Sequence, residues 1–172
     1  MAAVVRASYA SGAGPTLATA ETGAKYNREE TLAGATTPIP KPNASGTNYS
    51  WPKVFRLEVT TSDTTTISNL RHRIASAPSA GLTLWYIDDG ATYNRSTAVA
   101  AADNGTTNDA TPAGYTAAPT SDTVYDATGG SASSTGGKGD YLRYALGVSN
   151  LYVGGAGSAI ALPNLILTYD EA

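Results

Sequence analysis

The feature that most constrains this chain is a period-two alternation of apolar residues that begins at residue 54. In Val54-Phe55-Arg56-Leu57-Glu58-Val59, the residues Phe55, Leu57 and Val59 fall on one face, and Arg56, Glu58 and Thr60 fall on the other. Successive side chains of a strand point to opposite faces, so the stretch reads as a half-buried β-strand with a charged outer side. The pattern returns over 67–74, where Leu70, His72 and Ile74 oppose Arg71 and Arg73. It returns again over 141–148, where Leu142, Tyr144, Leu146 and Val148 oppose Arg143. Leu82 to Ile87 is apolar on both faces and reads as a central strand, with Pro78 and Gly81 before it and Asp88-Asp89-Gly90 after it. Short strands are expected at 123–125 and 151–153, a return strand over 159–162, and a last strand over 164–169 with Leu165, Leu167 and Tyr169 inward. Short strands separated by Gly, Pro, Asp and Ser turns specify an all-β chain, an antiparallel β-sandwich of jelly-roll or immunoglobulin-like type.

Residues 1–50 lack this pattern. Gly12, Gly14, Pro15, Gly23, Gly34, Pro38, Pro40, Pro42 and Gly46 punctuate them, and the apolar residues between are isolated. An extended N-terminal arm over 1–50 is therefore expected ahead of a β-sandwich domain over 51–172, with flexible loops around 91–119 and 129–139. The alternating prolines of 38–42 favour a polyproline-like strut, and 27–32 allows one helical turn. Such an arm is either a free tail or a strap ordered against a neighbouring subunit. For the strap, the candidate partner-binding residues are Tyr9, Tyr26, Leu32, Ile39 and Tyr49, with Trp51 at the junction.

Composition narrows the function classes. The 172 residues carry a net charge of -3 with the basic residues scattered, which gives no field for a nucleic-acid backbone. No run approaches the roughly 20 apolar residues of a membrane span, and Met1 to Arg6 has no apolar signal core. The absence of cysteine removes disulfides, thiolate metal sites and a thiol nucleophile. Eleven tyrosines against one phenylalanine suit half-exposed β surfaces and interfaces, because the ring is apolar and the tip polar.

No motif points to catalysis. His72 is the sole histidine and lies on an apolar strand face, so it reads as a core or interface residue, and no Gly-x-Ser-x-Gly elbow supports a serine triad. Asp88-Asp89 and Asp170-Glu171 are sequence neighbours, whose side chains diverge on a strand. The loop 103–109 gathers oxygen ligands that suit calcium but departs from EF-hand spacing, so an ordinary Asx-rich loop is the other reading. In 129–139, Lys138 is followed by Gly139, which breaks the phosphate-loop pattern. The expectation is a protein that is not an enzyme and needs no cofactor.

The arm carries Tyr-Asn-Arg-Glu-Glu-Thr at 26–31 and Pro-Ile-Pro at 38–40. Asn-Tyr-Ser-Trp follows at 48–51, and the chain closes with Leu-Pro-Asn-Leu-Ile-Leu-Thr-Tyr-Asp-Glu at 162–171. In these features it resembles small structural proteins of tailed-bacteriophage virions. The resemblance implies an auxiliary capsid component, a decoration or cement protein on the virion surface. It would bind the major capsid protein lattice and neighbouring copies of itself, with a homotrimer as one arrangement, and would bind neither nucleic acid nor membrane. A tail, baseplate or neck component is an alternative. A carbohydrate-binding sandwich that stacks sugars on Trp85 or on tyrosines is another.

Overall fold

The structure is a computed structural model that describes residues 4–11, 16–19, 26, 38–42, 45–61, 67–93, 114–126, 135–154 and 162–171. Among these residues there is no helix. The strands are β1 (Val4–Ser11), β2 (Thr16–Thr19), β3 (Thr47–Tyr49), β4 (Lys53–Thr61), β5 (Ile67–Ile74), β6 (Leu82–Gly90), β7 (Thr116–Ala117), β8 (Thr123–Asp126), β9 (Tyr141–Ser149) and β10 (Leu165–Glu171). They form two antiparallel sheets that pack together, so the expected all-β sandwich is what the chain adopts. The larger sheet runs β2-β1-β4-β9-β6-β7, with β3 also paired to β9, and the smaller runs β10-β5-β8.

Inward residues follow from the alternation. From the large sheet come Phe55, Leu57 and Val59 of β4, Leu142, Tyr144, Leu146 and Val148 of β9, and Leu82 and Leu84 of β6. The small sheet supplies Ile67, Leu70 and Ile74 of β5 and Tyr125 of β8, with Leu165, Leu167 and Tyr169 of β10 half-buried against them. Each fully buried aliphatic side chain stabilises the fold by about 1.5–3 kcal/mol, so these residues set the register of both sheets. β5 keeps two phases of burial through a bulge. Asn69 sits at φ 47°, the pairing with β8 shifts between Leu70 and Arg71, and Ile67 and Leu70 both turn inward. The Asn69 Nδ2 donates to Asp170 Oδ2 at 2.8 Å, tying the bulge to β10.

The boundary expected at residue 50 is not a boundary of the large sheet. β1 pairs antiparallel with β4, with Tyr9 opposite Phe55 and Arg6 opposite Glu58, and β3 pairs with β9. Tyr9 is buried, and its ring lies 6.1 Å from that of Phe55. The helical turn expected at 27–32 and the residues 97–113 fall outside the described residues. So do 129–134 and 159–161. The strand expected at 151–153 does not form: Leu151 lies in a turn, and Tyr152 and Val153 follow it without regular structure. Lys138 and its neighbours, expected in a flexible loop, extend the line of β9 along β4: Val59 N donates to Gly137 O, Gly136 N to Val59 O and Gly139 N to Leu57 O, each at 2.9 Å.

The outer face of the large sheet is not the solvated charged side that alternation implies. Ala10, Val54 and Tyr141 form a second small core there, with Tyr93 packed against it. Arg56 is buried beside it. Its Nε and Nη2 donate to Gly139 O at 3.0 and 2.6 Å, its Nη1 donates to Tyr141 Oη at 2.8 Å, and its Cζ lies 4.1 Å from the centre of the Tyr141 ring.

Candidate interaction surface

The residues proposed as arm anchors are mostly engaged within the chain. Tyr9 and Tyr49 are buried, and Tyr26 and Ile39 are half-buried against the main core. Burial carries the Tyr26 phenol above the ordinary tyrosine range. Trp51 is half-buried where the chain passes from β3 to β4. Beside it, Ser50 Oγ accepts from Leu146 N at 2.9 Å, so β9 continues to hold the chain across the junction. Leu32 lies outside the described residues. The structure thus brings Tyr9, Tyr26, Ile39 and Tyr49 to the core of their own subunit rather than to a free surface.

Apolar exposure lies elsewhere. Beyond β9 the chain turns at Ser149 to Tyr152, and Leu151 and Val153 are 71% and 92% exposed. Tyr152, between them, packs against the core. The turn is fixed by backbone contacts: Tyr152 N donates to Ser149 O at 3.1 Å, Ser149 N to Gly81 O at 2.8 Å, and Leu151 N to Ser149 Oγ at 3.3 Å. Gly81 permits this closeness. It has φ 81°, and a Cβ there would meet Tyr152 N at 2.2 Å. Two turns at one end of the large sheet therefore pack backbone to backbone and hold out two aliphatic side chains. Val4 and Val124 are also exposed, on separate strands. Leu151-Tyr152-Val153 has strand propensity, and the sequence signals for a turn are the neighbouring Gly154-Gly155 and the facing Gly81.

Several charged side chains are engaged in hydrogen bonds and ion pairs within the fold. Glu58 Oε2 accepts from Arg6 Nε at 3.0 Å, from Arg6 Nη2 at 2.8 Å and from Ser8 Oγ at 2.9 Å. Burial opposes its ionisation. The hydrogen bonds from Arg6 and Ser8, with the charges of Arg6 and Lys138, prevail and hold its pKa below the usual carboxylate range. Asp88, expected in a solvated turn, is exposed and caps Gly90 N at 2.9 Å. Asp89, also expected there, is instead largely buried in an ion pair with Arg143 at 2.5 Å. Burial raises its pKa against the pull of that guanidinium, and burial likewise pushes the nearby Tyr115 phenol up to about 12. Asp170 pairs with Arg71 at 2.5 Å, and Arg73 pairs with Asp122 at 3.0 Å, across the outside of the small sheet.

His72 lies fully buried between the sheets, as its strand face implied, with Nδ1 hydrogen-bonded to Tyr144 Oη. Burial pushes its pKa down to about 4. Among the described residues no group of three His, Cys, Asp or Glu is placed to hold a metal ion, and the loop 103–109 lies outside them. Trp85 is half-buried, and its Nε1 lies 3.0 Å from where a Cβ on Gly147 would stand. No family model, curated protein or solved structure matches. What the surface can do is therefore read from its own chemistry. An apolar, backbone-braced turn can bury area against a partner and offers no group for bond-making.

Proposed function

We propose that the protein is a non-enzymatic structural component of a tailed-phage virion, a capsid decoration protein that binds the major capsid protein lattice and stabilises the head. The observation that carries this reading is the turn at 149–153. Single exposed aliphatic residues are ordinary on a protein surface, but Leu151, on a turn locked to Gly81, and Val153, just past it, present two together, one of them pre-ordered, which reduces the entropy lost on binding. The resemblance of the segments 26–31, 38–40, 48–51 and 162–171 to virion structural proteins supplies the partner class. Reinforcement follows from repetition: each copy adds a modest contact, and copies grouped around local symmetry axes bind with an avidity that one contact does not have.

The test is co-sedimentation with purified heads that lack the protein. The wild-type chain is expected to pellet with heads. The double variant Leu151→Asp and Val153→Asp is expected to stay in solution while retaining the wild-type circular dichroism and melting temperature. Undiminished binding by that variant refutes the role of the turn. A wild-type chain that pellets with tails and not with heads replaces the head reading by the tail reading.

A further inference from the structure

The two sheets meet at a buried polar contact. His72 of β5, in the small sheet, is fully buried, and its Nδ1 shares a hydrogen bond with Tyr144 Oη of β9, in the large sheet. The imidazole stands edge-on to three phenol rings, Tyr86 of β6 at 4.3 Å, Tyr125 of β8 at 5.7 Å and Tyr144 at 5.9 Å between centroids. Its Nε2 is buried and has no hydrogen-bond partner among the described residues. Among the described residues, the titratable groups facing it are these three phenols. Behind Tyr144 stands the phenol of Tyr26, and around Tyr125 stand Asp126, Asp140, Asp88 and Arg56. Arg71 and Arg73, its neighbours on β5, are paired with Asp170 and Asp122. Among the described residues no carboxylate is bonded to the imidazole.

We propose that His72 and Tyr144 form an acid-sensitive clasp between the sheets, closed while the imidazole is neutral and released when it takes up a proton. A neutral imidazole has one donor and one acceptor nitrogen, and the Tyr144 hydroxyl satisfies Nδ1 whichever role that nitrogen takes. A second ring proton turns both nitrogens into donors and places a charge among aromatic rings with no anion bonded to it. The Nε2–H is then buried without an acceptor.

The direction of the pH effect follows. Burial lowers the folded-state pKa of His72 to about 4, against about 6.5 for an unperturbed histidine. The unfolded chain therefore takes up the proton first. The contribution of the neutral clasp is complete above the unfolded value and is lost as pH falls from there toward the folded value. Within that window the folding constant falls by up to about tenfold per pH unit, about 300-fold across it. His72 is the only histidine in the sequence, so no second imidazole contributes. Glu58 and Asp170 have lowered pKa values and give up their contributions only below the ordinary carboxylate range.

The experiment is urea unfolding of the full chain at pH 7.5, 6.5, 5.5 and 4.5, for wild type and for the double variant His72→Leu with Tyr144→Phe. It is paired with nitrogen-15 NMR of the wild-type imidazole in the folded state. The wild-type midpoint is expected to fall steeply from pH 6.5 to 4.5, with the folded imidazole neutral down to pH 5.5, while the variant lacks this fall and keeps only the shallower dependence that Asp89 and Asp140, raised by burial, give to both chains. A wild-type midpoint that does not move, equal slopes in the two chains, or a folded imidazole that titrates near pH 6.5 each overturns the clasp. If the double variant does not fold, the wild-type midpoints and the imidazole titration decide alone.

Discussion

Replacing Arg56 with methionine tests whether the buried guanidinium is a structural tie or a tolerated charge. Methionine replaces the aliphatic stem of arginine without the guanidinium and has no donor, so the variant removes the bonds at 3.0, 2.6 and 2.8 Å and leaves Gly139 O and Tyr141 Oη to find other partners. Hydrogen bonds from a charged donor contribute about 1.5–3 kcal/mol each, but two of these share one carbonyl, so the set is worth about 3–4 kcal/mol. Loss of the guanidinium over the Tyr141 ring adds about 1 kcal/mol. Against this, the variant no longer strips water from a cation, which returns about 1–2 kcal/mol. The net expectation is a destabilisation of about 2–4 kcal/mol. For a chain of this size that lowers the melting temperature by about 4–16 °C.

Thermal and urea unfolding followed by circular dichroism measure the difference, and hydrogen exchange locates it. The amides of Gly136, Val59 and Gly139, which lace 136–139 to β4, should lose protection before those of β9. Arg56→Lys is expected to recover little, because one ammonium does not reproduce the fork that grips Gly139 O twice. A methionine variant within about 0.5 kcal/mol of wild type refutes the argument, since it would mean the desolvation cost of the guanidinium equals everything it bonds to.

Gly81→Ala combines a left-handed backbone angle with a Cβ 2.2 Å from the Tyr152 backbone, so both the turn and the end of β9 must shift; a loss of about 3 kcal/mol or more in urea unfolding is expected. Head binding should fall with it. Glu58→Gln should cost about 0.5–1 kcal/mol at pH 7, a small figure because Arg6 is over a third exposed. The pKa of Glu58 is held low in the folded state. Its contribution is therefore present above the unfolded carboxylate value and disappears as pH falls through the folded one, so the unfolding midpoints of variant and wild type should converge on acidification.

The strands that were legible from sequence are those whose inner faces carry large aliphatic residues. Phe55-Leu57-Val59 and Leu142-Tyr144-Leu146-Val148 announce themselves because both sides of the alternation differ strongly in size and charge. β1 does not. Its Val5 and Tyr9 reach the main core, but Ala7 between them is small and exposed while Ser8 on the other face is buried, so burial does not follow the alternation, and the glycines and prolines after Ser11 mask a run this short. Its strongest signal is non-local, the Arg6 to Glu58 pair across 52 positions. The burial of Arg56 was equally hidden, since its partners stand 83 and 85 positions away. Strand propensity in Leu-Tyr-Val hides the exposed turn, and only the close approach at Gly81 reveals that the chain reverses there.

These placements bear on where a partner can bind. β4 uses both faces and both edges: Phe55, Leu57 and Val59 enter the main core, Arg56 is tied to Gly139 and Tyr141, and its edges are taken by β1 on one side and by 136–139 and β9 on the other. An N-terminal arm that left this position to grip a different protein would strip the hydrogen bonds from one edge of β4, uncover Phe55 where Tyr9 now packs, and deprive Glu58 of Arg6 and Ser8. Such a departure is unfavourable unless the same contacts are rebuilt, and only another copy of this chain offers the same β4. Exchange of β1 between copies would conserve every one of these contacts, whereas a capsid subunit would have to meet a surface that β1 does not occupy. By this reasoning Val5, Tyr9, Tyr26, Ile39 and Tyr49 belong to the sandwich, and a head contact of the kind proposed would fall to the exposed Leu151 and Val153, at a different part of the fold.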